Sequence, residues 1–158
     1  MLTLGIDPGL ERIGYGAIRR EGSRYQVIEY GLIETPRIGL PDRLRLAHEQ
    51  MLELIERVNP DVLATERLLF AVNKKTAMDV SKALGVVLLA SSQKGLPWFE
   101  YAATQVKLSA VGVGNASKKQ VQYMVMKLLG LKETPKPDDV ADALAIALCH
   151  LLQSKIPL

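Results

Sequence analysis

One cysteine, Cys149, is all the chain carries, and it sits inside an apolar helical pattern. A lone thiol forms no internal disulfide, so a disulfide-stapled fold is excluded and a reducing compartment is expected. Long hydrophobic runs are missing as well. The longest, "ALGVVLLA" at 83–90, falls far short of the roughly 20 apolar residues that cross a bilayer, so no membrane span is expected. The opening "MLTLGIDPGL" has no basic leader and is interrupted by Asp7, which argues against a secretory signal. There is no low-complexity tract, no internal repeat and no extreme of charge. A net charge of +3 permits a polyanionic partner without requiring one. The two histidines, His48 and His150, fit helix surface or boundary positions, and no chemistry is assigned to them. These absences lead us to expect a cytoplasmic protein forming one domain over residues 1–158.

What is present is a globular chain, 48% hydrophobic and therefore able to bury a core. "LTLGID" (2–7) is a short apolar run stopped by Pro8-Gly9, the pattern of a buried strand ending in a turn. "RIGYGAIRR" (12–20) and "YQVIEYGLIET" (25–35), separated by the turn "EGSR", extend it into an antiparallel meander. From 42 to 58 the period becomes helical, with Leu44, Ala47, Met51, Leu54, Ile55 and Val58 on one side, and Asn59-Pro60 ends it. "DVLATE" (61–66) reads as a fourth buried strand and "PWFEYA" (97–102) as a fifth. Between them a helix capped by Asn73 runs to about residue 92, apolar over more than one stripe and so expected to be buried on more than one side, as a subunit interface or, equally, a deep core helix. A Ser117-capped helix closed by Gly130, and a last helix over 138–153, complete an α/β arrangement with helices packed on a sheet.

The last helix opens on "PKPDDVADALAIA", with Asp138, Asp139 and Asp142 ahead of an apolar run. One acid at a helix N-terminus is favoured by about 0.3–1 kcal/mol; two on one face leading into the core are not explained that way. Asp139 and Asp142 are three apart and share a helical face. Asp7 and Glu66 each end a strand, the part of an α/β sheet where sites form. If strands one and four are neighbours and the last helix starts beside them, four carboxylates face one space. Like charges 4 Å apart repel by about 4 kcal/mol even at an effective dielectric near 20, so such a cluster needs a counter-charge. All-oxygen ligation favours Mg²⁺ or Mn²⁺ over zinc. Taken singly, Asp7 also suits a turn before Pro-Gly, and Asp139 a helix cap.

Several segments, "GIDPGLERIGYG" (5–16), "ATE" (64–66) ahead of "FAVN" (70–73), "YAATQVK" (101–107), "GNASKKQVQYMV" (114–125) and "DDVADALAIALCH" (138–150), resemble the RuvC family of Holliday junction resolvases, in order over nearly the whole chain. The resemblance implies an RNase H-like fold, a five-stranded mixed sheet flanked by helices. It implies a homodimeric, Mg²⁺-dependent endonuclease that nicks opposed strands of a four-way DNA junction symmetrically, leaving 5′-phosphate and 3′-hydroxyl ends. Its catalytic carboxylates fall on Asp7, Glu66, Asp139 and Asp142, which would hold two ions flanking the scissile phosphate, with Mn²⁺ able to substitute. Asp138 stays outside the set. Lys107 and Lys118 match positions implicated in backbone contact and catalysis, and Lys119, Lys74 and Lys75 stand near enough to add phosphate charge. The aromatic that in many members wedges into an opened junction is replaced by Leu69 here, with Phe70 beside it, and either apolar side chain could serve. RuvA and RuvB, the branch-migration proteins, are the implied partners. The sequence departs from the pattern at Ala103, where proline is usual, and at "LSAVG" (108–112), with no metal ligand touched.

Other classes stay in view. An RNase H-like nuclease acting on RNA or an RNA–DNA hybrid would carry the same four acids. An actin-like nucleotide-binding protein needs a second domain with its own phosphate-binding turn, which is not found in these 158 residues. A catalytically silent junction binder would have no use for an intact quartet.

Overall fold

The structure, a computed structural model, describes residues 1–68 and 74–154, with the backbone alone at 74–76. Strands β1 (Leu2–Asp7), β2 (Arg12–Glu21) and β3 (Arg24–Glu34) form the antiparallel meander, followed by α1 (Leu40–Val58) and β4 (Val62–Glu66). Helix α2 (Lys74–Gln93), β5 (Trp98–Tyr101), α3 (Ala103–Val111), α4 (Lys118–Leu128) and α5 (Asp138–Gln153) complete the order. The sheet runs β3-β2-β1-β4-β5, with β4 parallel to β1 and β5 parallel to β4. This is the expected five-stranded mixed sheet flanked by helices.

Alternation along the strands sorts residues between two cores. Leu2, Leu4 and Ile6 of β1 join Ile13, Tyr15 and Ala17 of β2 in a cluster with Met51, Leu54 and Ile55 of α1 and Val87 of α2. The residues between them face α5. There the sheet shows glycine: a Cβ on Gly5 would lie 2.1 Å from the carbonyl oxygen of Ala143 and 2.7 Å from the amide nitrogen of Ala147. A Cβ on Gly14 would lie 2.1 Å from the carbonyl oxygen of Asp139. Glycine in a strand interior weakens the strand, but it lets another backbone approach closely. Helix α5, built of alanine at 141, 143, 145 and 147, therefore lies almost directly on β1 and β2. Its larger residues Leu144 and Leu148 pack with Ile18, Val106 and Val125.

Local signals account for the helix ends. Asn59 adopts φ 48° and closes α1, and Ser117 accepts a hydrogen bond from the Gln120 amide at the start of α4. Arg20 donates to the carbonyl oxygens of Leu151 and, at 3.2 Å, of Ser154, satisfying the end of α5.

Three expectations need correction. Residues 103–111 form a helix, α3, where none was read. Helix α2 buries one stripe, with Ala83, Val87 and Ala90 inside, while Met78 and Leu89 are 59% and 52% exposed. Its apolar breadth is therefore surface within this chain, which sets aside the deep core alternative: among the described residues, α1 is the helix that packs closely along it. His150 is buried rather than peripheral, since β5 covers the end of α5: its Nδ1 lies 2.7 Å from the Tyr101 hydroxyl and its ring packs on Phe99. Among the described residues, no helix is long and apolar enough to cross a membrane.

Candidate active site

Strand pairing brings two of the acids to one level. β1 and β4 are parallel neighbours with Ile6 opposite Thr65, so Asp7 and Glu66, the next residues, leave the sheet together at its C-terminal edge. The glycine-lined face sets α5 beside them, and Asp139 and Asp142 arrive in its first two turns. A cleft of about 310 Å³ is lined by Asp7, Glu66 and Asp142, with Lys107 from α3 and Lys118 from α4 facing them. Asp139 lies at its side, against Arg12 of β2.

The electrostatics are those of crowded carboxylates in a partly dry place. Burial, then the charges of Asp142, Asp139 and Glu66, push the Asp7 carboxyl up to about 7, against the pull of Lys118. Glu66 is raised by burial and by Asp142, with Lys107 and Lys118 opposing. Asp142 is raised by burial, although Lys118 Nζ donates to it at 3.0 Å. Burial works against the Lys118 ammonium, but its hydrogen bonds to Asp142 and Asp138 outweigh that and hold its pKa above the ordinary lysine value. Asp138 is exposed, 3.3 Å from Lys118 and accepting from Gln122 at 3.2 Å, outside the cleft as expected.

Two cations thus divide the acids of α5 between them. Lys118 holds Asp142, and Arg12 Nη2 lies 3.0 Å from Asp139 Oδ2. The latter is an ion pair without an aligned hydrogen bond, for Asp139 Oδ2 is buried and accepts none among the described residues. In this arrangement no three His, Cys, Asp or Glu side chains among the described residues close on a single point. The donor set nonetheless fits a hard divalent cation: every donor is a carboxylate oxygen, one oxygen is buried without a hydrogen bond, and the neighbours of Asp7 make its own charge costly.

Of the other anticipated residues, Lys119 is exposed beside Lys118 and does not line the cleft. Lys74 and Lys75 open α2, where only the backbone is described, and Leu69 and Phe70 lie outside the described residues. Sequence reasoning missed Arg12, and also Gly5 and Gly14, which set the height of α5. The signal for the glycines was available in their spacing within otherwise apolar strands.

A mixed sheet with this strand order, and acids at the ends of β1 and β4 and at the start of the covering helix, defines the RNase H-like class. The family model described as crossover junction endodeoxyribonuclease RuvC matches residues 3–150, and the chain belongs to the RuvC family. The crossover junction endodeoxyribonuclease RuvC of Halothermothrix orenii is 52% identical over 151 residues, covering 95% of this chain and 92% of that protein. That of Thermotoga maritima is 49% identical over 154 residues, covering 96% and 91%. The structure of Thermus thermophilus RuvC in complex with Holliday junction substrate superposes with a TM-score of 0.90 at 36% identity, covering 96% of this chain and 93% of that one. Nucleases of this family depend on a divalent metal.

Proposed function

We propose that this chain is a structure-specific endonuclease that resolves Holliday junctions during recombination and DNA repair, acting as one nuclease domain over its length. Family membership supports the reaction class, and the observation that carries the reading to particular residues is the cleft in which Asp7, Glu66 and Asp142 face Lys107 and Lys118. Asp7, Glu66, Asp139 and Asp142 are the metal ligands in this reading, with Mg²⁺ as the natural ion, two per site, and Mn²⁺ a substitute. A bound divalent cation would acidify a water and stabilise the departing 3′ oxygen. The chain's own residues place the DNA. Lys107 and Lys118, which line the cleft with the acids, contact the DNA backbone there, and Lys119, Lys74 and Lys75 add positive charge along it. Such contacts position the strand without reading its sequence.

The exposed apolar face of α2, with Met78 and Leu89, is the surface proposed for pairing two copies, which would present two clefts to opposed strands. The wedge role at Leu69 or Phe70, cooperation with RuvA and RuvB, and a cytoplasmic location belong to the same reading.

The test is a labelled immobile four-way junction with Mg²⁺ or Mn²⁺, with wild type beside Asp7→Asn and Asp142→Asn. Wild type should give paired symmetric nicks, while both variants bind the junction and cut at least about a thousandfold more slowly, a loss on the order of 4 kcal/mol in barrier. Cleavage of an RNA–DNA hybrid but not the junction would keep the carboxylate site and discard the substrate. Variants that cut as fast as wild type would reduce the acids of α5 to helix caps.

A further inference from the structure

Arg12 borders two spaces at once. On one side its Nη2 touches Asp139, 3.0 Å away, in the ion pair that lacks an aligned hydrogen bond. On the other it lines a second recess of about 390 Å³, at the same edge of the sheet, with Glu11, Glu34, Thr35, Arg37 and Arg43. That recess holds more cationic side chains than acidic ones. Arg43, only 9% exposed, donates through Nε to Thr35 Oγ1 at 3.1 Å, yet its Nη2 has no acceptor among the described residues. A buried guanidinium with an unmatched N–H calls for an anion or another acceptor nearby. The rim acid Glu11 is poorly placed to serve, because it sits 3.9 Å from Arg37 with both side chains mostly in solvent.

The contact between Arg12 and Asp139 is of a kind that exchanges readily. The Arg12 side chain is about half exposed, the pair carries no directed hydrogen bond, and a long flexible stem can turn without moving the backbone. We propose that Arg12 is a displaceable counter-ion, which neutralises Asp139 until a divalent cation takes that carboxylate and then turns to a backbone phosphate of DNA seated in the recess beside Arg37 and Arg43. The inference rests on the reading of Asp139 as a metal ligand. It couples loading of the metal to grip on the strand: the cation that completes the acidic site also releases a guanidinium for the polyanion.

Two binding measurements, neither of them cleavage, test it on the whole chain. In the first, Mn²⁺ is titrated by electron paramagnetic resonance without DNA. Arg12→Ala and Arg12→Gln should bind Mn²⁺ about two- to fivefold more tightly than wild type, since a competing cation is gone. Arg12→Lys, which keeps the charge, should stay near wild type. In the second, affinity for a four-way junction is measured against salt in EDTA and again in Ca²⁺. Arg12→Ala should weaken binding and lower the salt slope by about one in Ca²⁺, and leave binding in EDTA unchanged. Weaker or unchanged Mn²⁺ binding by both uncharged variants would overturn the proposal, as would an equal loss of junction affinity in the two conditions. Asp139→Asn separates the layers. If it binds Mn²⁺ as wild type does, the metal-ligand reading of Asp139 fails; if it loses metal while the Arg12 variants change nothing, only the exchange fails.

Discussion

The two faces of the sheet are built on different rules. On the face toward α1 and α2, Leu4, Ile6 and Ile13 meet Met51, Leu54 and Val87, all buried. On the other, Gly5 and Gly14 meet the backbone of α5. Burying a large aliphatic side chain contributes about 1.5–3 kcal/mol, and neighbouring rotamers can absorb small errors of fit. Contact between a glycine and a helix backbone buries little, but no side chain is there to rotate out of the way. The first face supplies bulk stability. The second fixes the height and rotation of α5, and with them the positions of Asp139 and Asp142 relative to Asp7.

The most severe way to break that division is Gly14→Ala. The new Cβ would meet the carbonyl oxygen of Asp139 at 2.1 Å, so the helix must move. Junction nicking should fall by about a hundredfold or more, because small misplacements of reacting groups cost that much. A urea melt should show a loss of about 1–3 kcal/mol, as expected of a contact with no slack. Retention of full nicking would mean that α5 adjusts freely. Met51→Ala attacks the opposite face. Met51 is fully buried, and its truncation should cost about 2–5 kcal/mol in the same melt. Nicking by the folded fraction at a permissive temperature should stay close to wild type, since Met51 packs on the face of the sheet away from α5. A rate loss matching that of Gly14→Ala would erase the distinction.

The smallest effect sharpens the comparison rather than breaking it. The Asp7 carboxyl moves from 3.8 to about 7 on folding, so the native chain holds a proton there that the unfolded chain has already released. Stability from this group is present in full below pH 3.8 and is lost as pH rises through about 7. In the metal-free protein, Asp7→Asn should remove that dependence and raise stability above pH 7 by on the order of 1 kcal/mol, allowing for hydration of the cleft. Urea melts at pH 5 and pH 8 in EDTA measure it. An unchanged pH dependence in the variant would place the repulsion elsewhere.

Much of this was legible in the sequence because burial and period agree in the elements concerned. β1, β4 and α1 carry unbroken or regular apolar patterns, and Asn59-Pro60 and Ser117 mark helix boundaries chemically. Asp139 and Asp142 stood out because they share a helical face leading into an apolar run, whereas Asp7, which also suits a turn, joined them through the family resemblance. Helix α3 did not stand out. Only Val106 and Ala110 of it are buried, Leu108 is 55% exposed, and its N-cap is Ala102, which carries no capping side chain. The breadth of α2 misled in another way, for an apolar surface reads the same in sequence whether this chain or another covers it. His150 and Arg12 depend on which elements meet across the sheet, and no local pattern contains that.

The acids also arrive at very different moments in the life of the chain. Asp7 and Glu66 are made early, while Asp139 and Asp142 open the helix that comes after every strand. That same helix closes one whole face of the sheet. A nascent chain still on the ribosome at residue 130 would thus hold half of its carboxylates and an uncovered sheet face, harmless to DNA and exposed to chaperones. If the four acids are the metal ligands proposed above, competence to cut would be acquired in the same step that completes the core, and a half-made chain would lack it.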